Sequence, residues 1–452
     1  MNWSAKAEDR EGDAMNGRLT LREKLAYGLG NFGINLPFGM SNAFLMFFYT
    51  DVFHVDAATV GTVFLVARAV DAVFDPFMGL LIDRTETRFG KHRPYLIALA
   101  LPFALSSIAV FTAPALAGAA KLAYIFASYT LLGLLYSAVS LPLNSMLPTL
   151  TRDPRERNVT NATREFLGSS AVVGVGYVTL PLVSAWGHGS AQTGFLRVAA
   201  CFAFLTIAGL VLAFFNTRER VAALESPPRL TTRQSLAATR GNWPWIATML
   251  VNFFFWVGFG GHVQSVVYYA QHVVRRPDLV PDLMLTMVAM LPMIAASGWC
   301  ANRLGKKAVG MIGSAVGALA TAATPLSSDA TWLIGANLVA YAGLGLSAGL
   351  LFSLMADAVD YGEWRNGFRA QGFLFAASSF GVKLGMSVGG AAGAWLLAAS
   401  GYVAGAPATA SVIAGIVWAH VWMPAASYAA MAASLLLFVF ARDYRPGAGA
   451  RA

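Results

Sequence analysis

Long apolar runs separated by short polar breaks recur along the whole chain. A helix needs about 20 residues, at a rise of about 1.5 Å each, to cross the hydrocarbon of a bilayer. Runs of that length predict spans at 27–53, 58–82, 94–113, 120–149, 166–186 and 194–215. A second set follows at 243–270, 279–300, 307–326, 331–357, 370–399 and 411–441. The runs are long and continuously apolar, which predicts helices; barrel strands would alternate over short segments. The expected fold class is therefore all-α and integral to the membrane, with about 12 transmembrane helices in two six-helix bundles. The expected divisions are a tail at 1–24, a first bundle at 25–215, a central loop at 216–242, a second bundle at 243–441 and a tail at 442–452.

Composition sharpens this picture. The 452 residues are 57% hydrophobic and only 12% charged, whereas soluble domains carry about 25% charged residues. One water-soluble core cannot hide that excess, so lipid is the expected solvent and the bilayer the expected partner. The net charge of +9 does not point to nucleic acid, because no contiguous basic arm exists. The cations sit in short loops instead. One face carries Arg22, Lys24, Arg84, Arg88, Lys91, Arg93, Arg152, Arg155, Arg157, Arg218, Arg220, Arg229, Arg233, Arg240, Arg303, Lys306, Lys307 and Arg365. The other carries Lys121, Arg197, Arg275 and Arg276. The positive-inside rule places both termini and the central loop in the cytoplasm. The polar opening, Met1 to Thr20, has no short apolar core before a cleavage site and reads as a cytoplasmic tail. The expected location is a bacterial-type inner (plasma) membrane, and a monomer is expected.

The two halves carry a weak repeat. Asp83-Arg84 and Gly90-Lys91 in the second polar break are echoed by Asn302-Arg303 and Gly305-Lys306. Arg157-Asn158 and Ser169-Ser170 are echoed by Arg365-Asn366 and Ser378-Ser379. The boundary falls in the loop containing Ser226-Pro-Pro-Arg229. Repeats of this kind suggest a two-bundle carrier with a site near the midplane.

Ionisable residues inside spans are costly and tend to face a partner or a cavity. The second run holds Arg68, Asp71 and Asp75 before Pro76. Spacings of three and four put all three on one helix face. Two carboxylates one turn apart repel in a low dielectric, so one holds a proton or a cation binds between them. The structural alternative is an ion-pair network with Arg68 as counter-charge. Lys383 lies within the eleventh run, as a functional cation or a lock between halves. Arg164 stands at the start of the fifth, reaching into a pocket or snorkelling to the interface.

Other features carry less. Gly313 with Gly317, and Gly385 with Gly389, have the four-residue spacing of close helix contact. Gly28-Leu-Gly30-Asn-Phe-Gly33 matches a dinucleotide fingerprint, but no strand precedes it. Asn158-Val-Thr160 and Asn161-Ala-Thr163 match glycosylation acceptors on the cytoplasmic side. Cys201 and Cys300 sit in separate runs, outside any disulfide or metal pattern. His54 and His92 are single loop histidines. No nucleophile–base set exists, so no enzyme and no cofactor is expected.

Several stretches together resemble the glycoside–pentoside–hexuronide:cation symporter family, the melibiose permease-like carriers of the major facilitator superfamily. They are Lys24-Leu-Ala-Tyr-Gly-Leu-Gly30, Phe48-Tyr-Thr-Asp-Val52, Leu65-Val-Ala-Arg-Ala-Val-Asp-Ala-Val-Phe-Asp-Pro76, Ala356-Asp-Ala-Val-Asp-Tyr-Gly-Glu363 and Gly381-Val-Lys383. The resemblance implies a major facilitator-type fold. It also implies a cation site at Asp71 and Asp75 (a metal site only if sodium is used), with Ser137 as a further ligand. Arg164 is then expected to border the sugar site, and Lys383 to lie near both. The substrate-facing set expected on this basis is Asn35, Asn42, Arg68, Tyr136, Ser140, Asn144, Arg164 and Lys383.

The departures from the family pattern are informative. Sodium-using relatives have an asparagine just before the second aspartate, where this chain has Phe74. A phenyl ring offers no oxygen to a hard cation, which favours a proton over Na+ as the coupling ion. Asn35 and Ser140 stand where galactoside-binding relatives have aspartates. Asn144 replaces a tryptophan and Asn42 a tyrosine. Amides donate and accept hydrogen bonds, which suits a polyhydroxy substrate. Fewer acids beside Arg164 and Lys383 also suit an anionic sugar. The expected function is cation-coupled symport of a sugar, glycoside, pentoside or hexuronide by alternating access. The alternatives are a carrier of a lysolipid or other amphiphile, or an uncoupled facilitator.

Overall fold

In the computed structural model the described residues are 18–151, 153–220, 239–367 and 371–440, and they form helices and no strands. Residues 1–17 of the expected 1–24 tail, the whole expected tail at 442–452 with residue 441, the part of the central loop at 221–238, including the Ser226 to Arg229 stretch and Arg233, and also Arg152 lie outside them. Ten helices among the described residues are long and apolar enough to cross a membrane. Two further spans account for the expected twelve. Helix α1, Leu21–Phe47, begins with Arg22, Glu23 and Lys24 and carries Asn31, Asn35 and Asn42, which lowers its apolar character. The third span is broken at Leu99 into α3, Arg93–Ala98, and α4, Ala100–Ala109.

Contacts divide the chain into two compact units, Met1–Phe48 with Ala69–Ser226, and Tyr49–Arg68 with Pro227–Ala452. The crossing segment contains a π-helical turn, Phe48–Val52, and the first half of α2, Ala57–Asp83.

The first unit also contains α5, Gly118–Leu150, α6, Pro154–Gly187, and α7, Ala191–Asn216. A capping box starts α1: Thr20 Oγ1 accepts from the Glu23 N–H, and the Glu23 carboxylate accepts from the Thr20 N–H. Such a cap contributes about 1 kcal/mol. Asp153 caps α6 by accepting from the Arg155 N–H at 2.8 Å. The glycines of the Gly28–Gly33 stretch are packing surfaces. A Cβ at Gly28 would collide with Leu167 of α6, one at Gly30 with Ala213 of α7, and one at Gly33 would press on Thr206. The Thr206 hydroxyl donates to the Gly33 carbonyl at 2.8 Å, so α1 and α7 touch backbone to backbone.

The second unit contains α8, Trp243–Tyr268, which continues as a π turn at Tyr269–Val274. It then has α9, Val280–Leu285, α10, Met290–Leu304, and α11, Lys306–Ala323. The expected span at 331–357 is two helices, α12, Ala330–Ala348, and α13, Leu351–Asn366. Helix α14 is Gln371–Ala399. The last span is α15, Ala410–Val417, a π turn at Trp418–Trp422, and α16, Met423–Ser434. Asn242 caps α8 by accepting from the Trp245 N–H, and its amide donates to the Ala358 carbonyl of α13. The predicted glycine pairs pack closely. Gly313 lies against the Gly343 carbonyl of α12, and Gly385 and Gly389 lie against the Phe253 and Val257 carbonyls of α8.

One carboxylate pins the basic loop between α2 and α3. Glu219, just beyond α7, accepts from the backbone N–H groups of Lys91, His92 and Arg93 at 3.1, 2.8 and 3.1 Å, and from His92 Nδ1 at 3.1 Å. Arg93 completes the clamp by donating to the Phe214 carbonyl. Burial raises the proton affinity of this carboxyl. The His92 ring and the three backbone N–H groups outweigh burial and hold it at about 2, against an ordinary 4.5. A depressed value means that the clamp's stabilisation is complete above the ordinary carboxylate range and is lost as pH falls through about 2. The loop should therefore resist trypsin at Arg88 and Lys91 at neutral pH, and Glu219→Gln should speed that cleavage severalfold. Equal cleavage rates in the two proteins would show that the clamp does not hold the loop.

Candidate functional site

The second half of α2 brings Asp71 against α5. Asp71 is 1% exposed, as is Ser137, and the Ser137 hydroxyl donates to Asp71 Oδ1 at 2.8 Å. Gly133, one turn earlier on α5, faces the Asp71 carboxyl. Asp75 is half-buried one turn further along α2. Phe74 packs into an apolar cluster with Met78, Ile82, Ala138, Tyr95, Leu99 and Leu141. Phe74 is three residues beyond Asp71, and both meet α5, Asp71 at Gly133 and Ser137 and Phe74 in the cluster that holds Ala138. A buried carboxylate with a hydroxyl donor can hold a proton or a hard cation. No group of three or more His, Cys, Asp or Glu side chains suited to a metal occurs among the described residues.

A second polar group gathers around α6. Helix α6 starts at Pro154 and not near 166, so Arg164 sits about three turns inside it and not at its entry. This corrects the sequence placement. The cause is that the polar first turns of α6, with Arg155, Glu156 and Arg157, are helical although not apolar. Arg164 does not extend toward water; its guanidinium donates to Asn144 Oδ1 of α5 and to the Glu165 carboxylate. Its side chain is 13% exposed. The buried Tyr27 hydroxyl donates to the Leu143 carbonyl at 2.9 Å, beside Asn144.

The amides of α1 line up with this group. Asn31 Nδ2 donates to the Arg164 carbonyl at 3.0 Å. Asn35 Nδ2 donates to the Asn31 carbonyl, and Asn42 Nδ2 to the Phe38 carbonyl. Each keeps a side-chain carbonyl oxygen with spare lone pairs. The Tyr136 ring stacks on Phe38, centroids 4.9 Å apart and planes 18° from parallel. Ser140 is half-buried on α5, three residues beyond Ser137. Asp71, Asp75, Ser137, Asn35, Asn42, Tyr136, Ser140, Asn144 and Arg164 therefore belong to the first unit. Arg68 and Lys383 fall in the second, where both are half-buried.

Sequence reasoning did not single out Glu165 or Asn31. Glu165 follows Arg164 directly, and neighbours on a helix do not usually face each other. Asn31 was signalled only by its four-residue spacing from Asn35.

A helical membrane protein with buried carboxylate, amide, guanidinium and aromatic groups in one unit is a carrier of a small polar solute, built on the major facilitator fold. The nucleoside transporter NupG, in a D323A mutant structure, has the same fold with a TM-score of 0.67 at 13% identity, covering 92% of this chain and 100% of that one. The MFS/sugar transport protein family matches residues 26–441, and the chain belongs to it. The isoprimeverose transporter of Lactiplantibacillus pentosus is 37% identical over 422 residues, 92% of this chain and 88% of that one. A glucuronide carrier protein homolog of Escherichia coli (strain K12) is 32% identical over 416 residues, 89% of each chain. The protein is thus a multi-pass membrane transporter for sugars or glycosides of the glycoside–pentoside–hexuronide kind, and not an enzyme.

Asn31→Ala removes the bond that fixes the α6 backbone at Arg164. One hydrogen bond of this kind contributes about 1 kcal/mol, so a melting temperature about 2–4 °C lower is expected in detergent. An unchanged melting temperature would mean that α1 and α6 are held by apolar packing alone.

Proposed function

We propose that this protein is a proton-coupled symporter that takes up a sugar or glycoside by alternating access. The observation that carries the reading is the set of groups around Asp71 on α2. Asp71 meets the Ser137 hydroxyl at 2.8 Å, while Phe74 packs into the neighbouring apolar cluster. A carboxylate–hydroxyl pair is sufficient to bind a proton. A sodium shell asks for more oxygens, and a phenyl ring at position 74 adds none.

In this reading protonation at Asp71 and Asp75 removes charge from the middle of α2 and raises affinity for the sugar. Sugar binding must then raise proton affinity by the same factor. Asn35, Asn42, Asn144 and Ser140 hold sugar hydroxyls, and the Phe38–Tyr136 pair supplies an apolar face of the kind that ligand sites use. The guanidinium has little charge to spare for an anion: Arg164 already meets Glu165, so its charge is largely compensated and an uncharged sugar is favoured over a uronide. Lys383 is the cation of α14 assigned to the coupling machinery in this reading. The basic loops support cytoplasmic termini and a bacterial-type inner membrane, with the monomer as the working unit.

Purified protein in liposomes, given labelled glycosides, pentosides and hexuronates, tests this. Uptake should follow an inward proton gradient and be indifferent to sodium. Asp75→Asn should stay folded and lose gradient-driven accumulation by at least about tenfold, the size of a 1.4 kcal/mol loss of coupling. Sodium-driven uptake would overturn the proton assignment. It would point to the Ser137 hydroxyl or to the Ala72 carbonyl, which loses its helical donor to Pro76, as the missing cation ligand. Accumulation at wild-type level in Asp75→Asn would remove Asp75 from the coupling site.

A further inference from the structure

Asp51 lies in the π turn that ends the first span, away from the groups discussed above. A carboxylate can only accept. The Tyr402 hydroxyl therefore donates to Asp51 Oδ1, at 2.6 Å, and the Thr50 hydroxyl donates to Asp51 Oδ2, at 2.7 Å. Thr50 has only one hydroxyl proton. In its 2.6 Å contact with the Tyr268 hydroxyl, Tyr268 must be the donor. Two tyrosine hydroxyls are thus aimed, directly or through Thr50, at one carboxylate.

All of these residues belong to the second unit. Tyr268 is the last residue of α8, and Tyr402 follows α14. Thr50, Tyr268 and Tyr402 are buried. The two tyrosine rings meet edge to face at 5.4 Å, and His272 packs on Tyr402 at 5.6 Å. Beyond the π turn the chain bends at His54, whose φ of 52° is left-handed, and enters α2. There Gly61 lets α2 lie against Ala391, Ala394 and Trp395 of α14. A cavity of about 280 Å³, lined by Thr50, His54, Asp56 and Tyr402 among others, reaches this cluster. Tyr268 ends α8 and Tyr402 follows the end of α14, the helix ends expected from the positive-inside pattern to face away from the cytoplasm.

We infer that Asp51, Thr50, Tyr268 and Tyr402 are a gate latch that keeps this carrier closed on its outer face and that opens once in each transport cycle. Charge-assisted hydrogen bonds are the stronger kind, and here they converge on a segment of only twenty residues, Tyr49–Arg68. Parting that segment from α8 and α14 takes the Tyr402 donor from the carboxylate and the Tyr268 donor from Thr50. Water entering through the adjacent cavity then replaces them. The latch is strong while dry and releases when wetted, which is what a reversible gate requires. The inference rests on the carrier function alone, and on neither the coupling ion nor the sugar.

The test needs no substrate. Val60 is fully buried in the latched segment. Val60→Cys, in a background with Cys201→Ala and Cys300→Ala, is exposed to a membrane-impermeant maleimide added outside intact cells. Adding Tyr402→Phe should raise the labelling rate about tenfold, the lower end for a hydrogen bond to a charged group. Tyr268→Phe should raise it less. Thr62→Ala, which removes the long 3.4 Å contact from Trp395 and a bond to the Ala58 carbonyl one turn earlier in α2 but no latch bond, should leave it unchanged. If Tyr402→Phe fails to fold, Asp51→Cys with Tyr402→Cys, bridged by a short reducible bis-thiosulfonate, should suppress labelling at position 60 until reductant is added. Labelling that ignores Tyr402→Phe in folded protein, ignores the bridge, or occurs only from the cytoplasmic side would overturn the latch. None of these outcomes depends on proton-driven uptake, so a failure here is distinct from a failure of the proposed coupling.

Discussion

A polar group in hydrocarbon has no water to turn to, so it must find its partner within its own helix or on the helix beside it. Most polar side chains in the spans take the first course. Asn42, Thr179, Asn252 and Asn337 each donate to a carbonyl one turn earlier. These bonds cost the fold nothing in specificity, because any neighbouring helix would do. A smaller set reaches across: Asn31 to Arg164, Thr206 to Gly33, Ser137 to Asp71, and Asn242 to Ala358. Each of these fixes which helices meet and at what height. Glycines then allow the backbones to close to contact at the same places.

Much of the fold was legible because lipid imposes a minimum length on every apolar run. What hydropathy could not convey was continuity. The third span breaks at Leu99 and the tenth between Ala348 and Leu351, yet both read as unbroken apolar sequence. The start of α6 was misjudged for the opposite reason, since its first turns are helical and polar. Of the site, the Asp71 and Asp75 spacing was visible from the residues, whereas Ser137 came only with the family resemblance. The Arg164–Glu165 pair was invisible, because it depends on side-chain direction and not on spacing. Asp51 stood inside a recognised stretch, but its partners Tyr268 and Tyr402 are more than two hundred residues away.

The two halves secure comparable loops by opposite means. In the first unit an acid beyond α7, Glu219, grips the loop backbone before α3. In the second unit the cation comes from Lys306, the first residue of α11, which donates to both carboxylate oxygens of Asp357 on α13 at 2.7 Å. The sequence echo between Gly90-Lys91 and Gly305-Lys306 therefore marks a similar position with a different chemistry. Backbone N–H groups cannot be removed by side-chain substitution, so the first clamp keeps most of its donors whatever replaces the loop side chains, while the second depends on two side chains.

Helix α2 is shared by the two units, which divide it between Arg68 and Ala69. Its 27 residues make a rod of about 40 Å. No proline interrupts it between Gly61, seated on α14, and Asp75; Pro76 comes only after both aspartates. A rod of this kind cannot turn at one end and stay still at the other. Any roll of α2 that changes what surrounds Asp71 also turns Gly61 against α14, nearly three helical turns away. The helix thus works as a crankshaft, and the stiffness of its central stretch, more than the chemistry at either end, sets how faithfully one event reports to the other.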